Sequence, residues 1–108
     1  MKIENAKAQM RKGVLELCIL SILSKNPCYA SDIIAELKKS EMIVVEGTLY
    51  PLLTRLKNDE LLAYHWEEST QGPPRKYYTL TEKGNLFLDE MLKAWSELVD
   101  TVDQIVKA

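Results

Sequence analysis

The side chains of this sequence that could do chemistry are mostly cations and hydrogen-bond donors. Thr48, Tyr50, Pro51, Thr54, Arg55, Lys57 and Asn58 are interleaved with Leu49, Leu52, Leu53 and Leu56. The leucines fall at i, i+3, i+4 and i+7, so on a helix they form one buried stripe and leave the polar set on the opposite face. Hydroxyls, a guanidinium, an ammonium and an amide on one face can hydrogen-bond to base edges and phosphate oxygens. A solvated helix face carries the same residue types, so this face alone leaves both readings open. Arg75-Lys76 follows the turn-forming run Ser69-Thr70-Gln71-Gly72-Pro73-Pro74. Two cations behind a stiff Pro-Pro step, beside the neutral donors Ser69 and Gln71, suit a phosphate clamp, and Tyr78 is placed with them. The alternative is a charged pair that blunts a sheet edge. Lys7, Arg11 and Lys12 form a third basic group with no acid among them.

Other chemistries find little support. There is one His, no Gly-rich phosphate loop, and no Ser/His or Cys/His pair at a suggestive spacing, so an enzyme is not expected. Cys18 and Cys28 have no metal-ligand spacing, so no metal and no cofactor are expected. Cys18, in the most apolar stretch, reads as a buried thiol. Fourteen Lys and Arg against sixteen Asp and Glu give a net charge of −2, which excludes a uniformly basic surface but not a local one. Residues 1–83 hold 12 basic and 11 acidic side chains, whereas residues 84–108 hold 2 and 5. The acidic C-terminal stretch should therefore sit away from any polyanion, since exposed charges act within a screening length of about 8–10 Å. Glu46, Glu67 and Glu68 lie near the basic groups and oppose them. With 108 residues, 46% apolar and 28% charged, the chain reads as one soluble domain that folds without disulfides. No apolar run approaches the roughly 20 residues of a membrane span, and Met1–Lys12 lacks a signal-peptide pattern, so a cytoplasmic location is expected.

The elements that must position these residues follow from periodicity. A helix is predicted from about Lys7 to Ser24, ended by Asn26-Pro27, and a second from about Tyr29 to Lys39. A third runs from about Gly47 to Asn58 and must start close to Gly47, because Pro51 is tolerated only in a first turn. Leu62, Tyr64 and Trp66 then alternate with Ala63, His65 and Glu67, the pattern of a half-buried strand with His65 facing solvent. Lys76 to Leu80 forms the second strand of a hairpin. Thr81 caps a last helix of about 25 residues. Its apolar residues Leu88, Met91, Trp95, Leu98, Val102 and Ile105 step by 3 and 4, a heptad seam that asks for a partner helix. The predicted class is mainly α with a small β-hairpin (α+β). Residues 1–80 form a winged helix-turn-helix whose third helix meets the DNA major groove, and residues 81–108 a dimerisation helix, all in one compact domain. Two copies about a twofold axis would read an inverted repeat in double-stranded DNA, with half-sites about 10 base pairs apart or a multiple of that. The rival reading is a winged helix used for protein–protein contact without DNA.

The motifs Arg11-Lys12-Gly13-Val14-Leu15-Glu16-Leu17, Gly47-Thr48-Leu49-Tyr50-Pro51-Leu52-Leu53, Arg55-Leu56, Gly72-Pro73-Pro74-Arg75-Lys76-Tyr77-Tyr78 and Leu80-Thr81-Glu82-Lys83-Gly84 resemble the PadR family of bacterial transcriptional regulators. The likeness runs through about residues 10–84. It implies a homodimeric repressor paired through its first and last helices, with Met10 and Val14 joining Leu88, Met91, Trp95, Leu98 and Val102 at the interface. The single terminal helix resembles the short-tailed subfamily, some of whose members bind flat aromatic compounds between the dimer halves, where Trp95 matches a paired tryptophan. Trp95 thus either packs the seam or lines a pocket for a planar aromatic effector. The sequence departs from the family in having Cys28 before the tyrosine of the second helix. It departs again at Asn58-Asp59-Glu60, which replaces a more usual Gly-containing turn.

Overall fold

The computed structural model describes residues 1–108. It contains α1 (Ile3–Lys12), α2 (Leu15–Lys25), β1 (Cys28–Tyr29), α3 (Ala30–Lys39), α4 (Glu46–Asn58), β2 (Leu62–Ser69), β3 (Gly72–Leu80) and α5 (Glu82–Val106). The architecture is the expected α+β winged helix with a long C-terminal helix. α2 is the central helix, burying Leu15, Leu17, Ile19, Leu20 and Leu23. Ala30, Ile33 and Leu37 of α3 and Leu49, Leu53 and Leu56 of α4 join the same core, closed by Leu61, Leu62, Tyr78 and Leu88. No helix is long and apolar enough to cross a membrane.

Several local expectations are corrected. The single helix expected from Lys7 to Ser24 is two, interrupted at Gly13 and Val14, where a residue without Cβ weakens the helix. The hairpin is part of a three-stranded antiparallel sheet in the order β1-β3-β2. Cys28 and Tyr29 pair with Tyr78 and Tyr77, a strand too short to show any periodicity. The turn is tighter than the Ser69–Pro74 cluster suggests, because Ser69 already pairs with Gly72. Pro73 and Pro74 belong to β3 at a register shift, one of the few strand positions that tolerate a missing N–H. α4 starts at Glu46, one residue before the expected Gly47, and Pro51 is its sixth residue, past the first turn. The carbonyl that loses its partner, on Gly47, is at an exposed position, and the buried leucines hold the helix together. Cys28 is the buried cysteine and Cys18 only half-buried. Burial, with smaller contributions from Asp32 and Glu36, pushes the Cys28 thiol up to about 11.

The start of α5 is fixed by contacts of the Thr81 hydroxyl and of the backbone. Thr81 caps the helix by accepting from the Gly84 N–H at 2.9 Å, and its hydroxyl lies 2.7 Å from the Glu60 carbonyl. The Thr81 N–H donates to the Leu61 carbonyl at 3.1 Å. A Cβ on Gly84 would lie 2.1 Å from that same carbonyl oxygen and 2.7 Å from Leu80 Cδ1. Glu60, in the turn that lacks glycine, has φ of 64°, a left-handed conformation that strains a side-chain-bearing residue.

Two stability predictions follow from this junction. Gly84→Ala should destabilise the fold by about 1–3 kcal/mol, the cost of overpacking a tight contact. Glu60→Gly should stabilise it by about 0.5–1 kcal/mol, since relief of left-handed strain outweighs the added chain entropy. Urea unfolding midpoints check both, and a Gly84→Ala protein as stable as wild type would contradict the first.

Candidate nucleic-acid interface

Leu49 and Leu53, with no exposed surface, and Leu56, nearly as buried, clamp one side of α4 to the core. This leaves Thr48, Tyr50, Pro51, Thr54, Arg55, Lys57 and Asn58 exposed on the other, as their spacing predicts. The N-cap residue of α4, Val45, supplies no side-chain acceptor, so the Glu46 and Gly47 N–H groups at the helix start have no side-chain cap. Free N–H groups at a helix start favour anions, although Glu46 stands in the same turn. Arg55 is engaged rather than free: its guanidinium forms an ion pair with Glu16 of α2. The sequence offered no sign of this pair, because Glu16 lies in a helix read only as core.

The wing carries its cations on aromatic rings. The Lys76 ammonium lies 4.5 Å from the centre of the Tyr64 ring and 5.5 Å from that of Trp66. Lys57 of α4 approaches the same Tyr64 ring at 5.9 Å. Tyr64 therefore gathers one cation from α4 and one from β3. The Arg75 guanidinium lies 3.9 Å from the centre of the Tyr29 ring. Arg75 and Lys76 are consecutive strand residues and leave opposite faces of the sheet, although both reach one cleft. Lys76 faces α4 and Arg75 faces outward. Gln71 is exposed and Ser69 half-buried at the turn, where the Gln71 N–H donates to Ser69 Oγ at 3.3 Å. Between the start of α4 and the wing lies a cleft of about 400 Å³, lined by Glu46, Tyr50, Trp66, Arg75 and Lys76 among others.

Three assignments change. Tyr78 is only 4% exposed. It lies opposite Tyr64 and Cys28 on the core side of the sheet, and burial, then Tyr50 and Tyr64, raises its phenol pKa. It is a core residue, not a surface donor. Trp66, read as half-buried, is 60% exposed, because the strand runs past the edge of the core. The third basic group does not gather into one patch: Lys7 pairs with Glu4 at 3.7 Å, and Arg11 lines a groove between α1 and α5. His65 is exposed, as expected, with Nε2 at 2.7 Å from Glu67 Oε1.

The expected pairing face is likewise divided. Leu88 is buried in the chain's own core and Met91 packs against it, so these two are already used within the chain. Beyond them Trp95, Leu98 and Val102 stay 43%, 53% and 46% exposed. Together with Met10 and Val14 they line the α1–α5 groove, of about 500 Å³.

A helix-turn-helix with donors on its exposed helix and ring-supported cations on its wing defines a winged-helix DNA-binding protein. The model of the transcriptional regulator PadR-like family matches residues 19–90, and the chain belongs to that family. It is 66% identical to a PadR-like transcription factor of Bacteroides fragilis whose crystal structure superposes with a TM-score of 0.79, covering 94% of this chain and 98% of that one. A PadR family regulator from Eggerthella lenta superposes at 0.92 with 31% identity, over 98% and 93% of the two chains. A transcriptional regulator of Mycobacterium tuberculosis is 31% identical over 94 residues, 87% of each chain. The chain is thus a DNA-binding transcriptional regulator rather than an enzyme.

The Glu16–Arg55 pair makes a prediction. Glu16→Gln should raise affinity for duplex DNA roughly two- to fivefold, the factor a partly exposed pair of up to about 1 kcal/mol represents, because Arg55 is then free for phosphate. Fluorescence anisotropy with labelled duplex checks it, and unchanged or weaker binding would count against a DNA role for Arg55.

Proposed function

We propose that the chain works as a homodimeric repressor of transcription that reads an inverted-repeat operator. Residues 1–80 form the reading unit and residues 81–108 the pairing helix. Thr48, Tyr50, Pro51 and Thr54 meet base edges in the major groove. Arg55, Lys57, Arg75 and Lys76 hold phosphates, with Ser69 and Gln71 at the wing tip. The observation that carries this reading is the coexistence of two unsatisfied surfaces. One is the donor face of α4 with the wing cations beside it. The other is the apolar stripe of Trp95, Leu98 and Val102, uncovered by the chain itself. An exposed apolar stripe of this kind on a small protein marks an association surface, and two copies of one winged helix supply the contacts that one lacks. Binding to chromosomal DNA places the protein in the cytoplasm.

The groove lined by Trp95 supports a further part of the reading, release of the repressor by a planar aromatic effector or another small-molecule or stress signal. Saturable quenching of tryptophan fluorescence by such compounds, lost in a Trp95→Ala protein that remains dimeric, is the expected result.

Selection of bound fragments from random duplex DNA tests the core of the proposal. The expected outcome is an inverted repeat with half-sites about 10 base pairs apart or a multiple. Lys76→Ala should weaken binding to all sequences alike and lower the salt slope by about one. Failure to bind any duplex in dilute buffer, or a monomer by sedimentation at micromolar concentration, would overturn it.

A further inference from the structure

The outer face of the sheet carries a row of interacting groups that the motifs do not account for. Across the three strands Tyr29, Tyr77 and His65 lie side by side in register. The Tyr29 and Tyr77 rings meet edge-on at 4.9 Å and the His65 and Tyr77 rings at 5.4 Å. The next pair toward the wing tip is Arg75 opposite Glu67. Oppositely charged residues placed directly across two strands normally attract one another. Here they do not pair: the Glu67 carboxylate accepts from His65 at 2.7 Å, and Arg75 takes part in none of the chain's ion pairs. Its guanidinium lies instead on the Tyr29 ring, 3.9 Å from the centre.

Stacking on a ring uses the face of a guanidinium and leaves its N–H edges available, which an ion pair does not. The ring also limits where the long side chain can go, lowering the ordering cost of a later contact. A Glu67 carboxylate released from His65 would be the nearest competitor for those N–H edges.

We infer that Tyr29 and His65 are positioning residues for Arg75 as the outer phosphate-binding cation of the wing: Tyr29 holds the guanidinium by its face, and His65 holds Glu67 away from it. The inference rests on the DNA-binding surface proposed above. It gives β1 a role as well, since this two-residue strand is what brings the Tyr29 ring beneath Arg75.

The test is anisotropy of a labelled mixed-sequence duplex titrated with the full chain at several salt concentrations. Arg75→Ala should weaken binding and lower the salt slope by about one. His65→Ala should weaken it about two- to fivefold, the range of an exposed charge pair newly formed between Glu67 and Arg75. Adding Glu67→Gln to His65→Ala should restore binding, while Glu67→Gln alone should change it less. Tyr29→Ala should cost binding only when Arg75 is present, and Tyr29→Phe, which keeps the ring, should restore it. His65→Ala binding as wild type does, or a His65→Ala loss that persists unchanged beside Glu67→Gln, would overturn the inference. If Arg75→Ala binds as tightly as wild type, the inference falls while the regulator reading stands. If wild type binds no duplex at all, the regulator reading itself falls.

Discussion

The arrangement of this molecule depends on a close approach of one backbone to another. At the root of α5, Gly84 lies so near the Leu61 carbonyl that no side chain fits between them. Thr81 ties the same region to Glu60 and Leu61 through its N–H and its hydroxyl. This junction joins three parts that have separate tasks: the end of α4, the base of the wing and the long helix. Because the ties run between backbones or through one short hydroxyl, little rotation of α5 relative to α4 is available without breaking them. In a dimer built along α5, the separation of the two α4 helices would therefore be passed on from that junction with little slack.

A second constraint concerns how an acidic protein presents cations to a polyanion. The chain carries more acids than bases, yet most cations of α4 and the wing are not lost to them. Lys57 and Lys76 share the Tyr64 ring, and Arg75 uses the Tyr29 ring. Aromatic faces attract cations without neutralising them, so the donors stay free for a ligand. Glu67 is held by His65. Arg55 is the exception, paired with Glu16, and in the free protein it is the cation most compromised by an acid.

Much of the fold was legible because it is local. The leucine stripe of α4, the alternation of β2 from Leu62 to His65, the Thr81 cap and the helix of α5 are periodic signals or short-range hydrogen bonds, and the structure reproduces them. The turn at Asn58-Asp59-Glu60 was legible as a departure, and Glu60 indeed adopts the conformation a glycine favours. What was not legible involves partners far apart in the chain. β1 exists only because Tyr77 and Tyr78 lie beside it, fifty residues on. The helix break at Gly13 interrupts an apolar pattern that reads equally well as one helix or two.

The surface divides in the same way. Which residue types are available, and which face of α4 carries them, the amino-acid order determined alone, since helical spacing sets the face without reference to anything else. The fate of each group was decided by packing. Tyr78, placed with the wing donors, and Leu88, read on the seam of the last helix, are drawn into the core by neighbours from other elements. Arg75 and Lys76 are adjacent in sequence and part to opposite faces of the sheet. Periodicity assigns a side chain to a face; only the tertiary structure decides what covers that face, because burial and ion pairing depend on residues that the folded chain brings in from elsewhere.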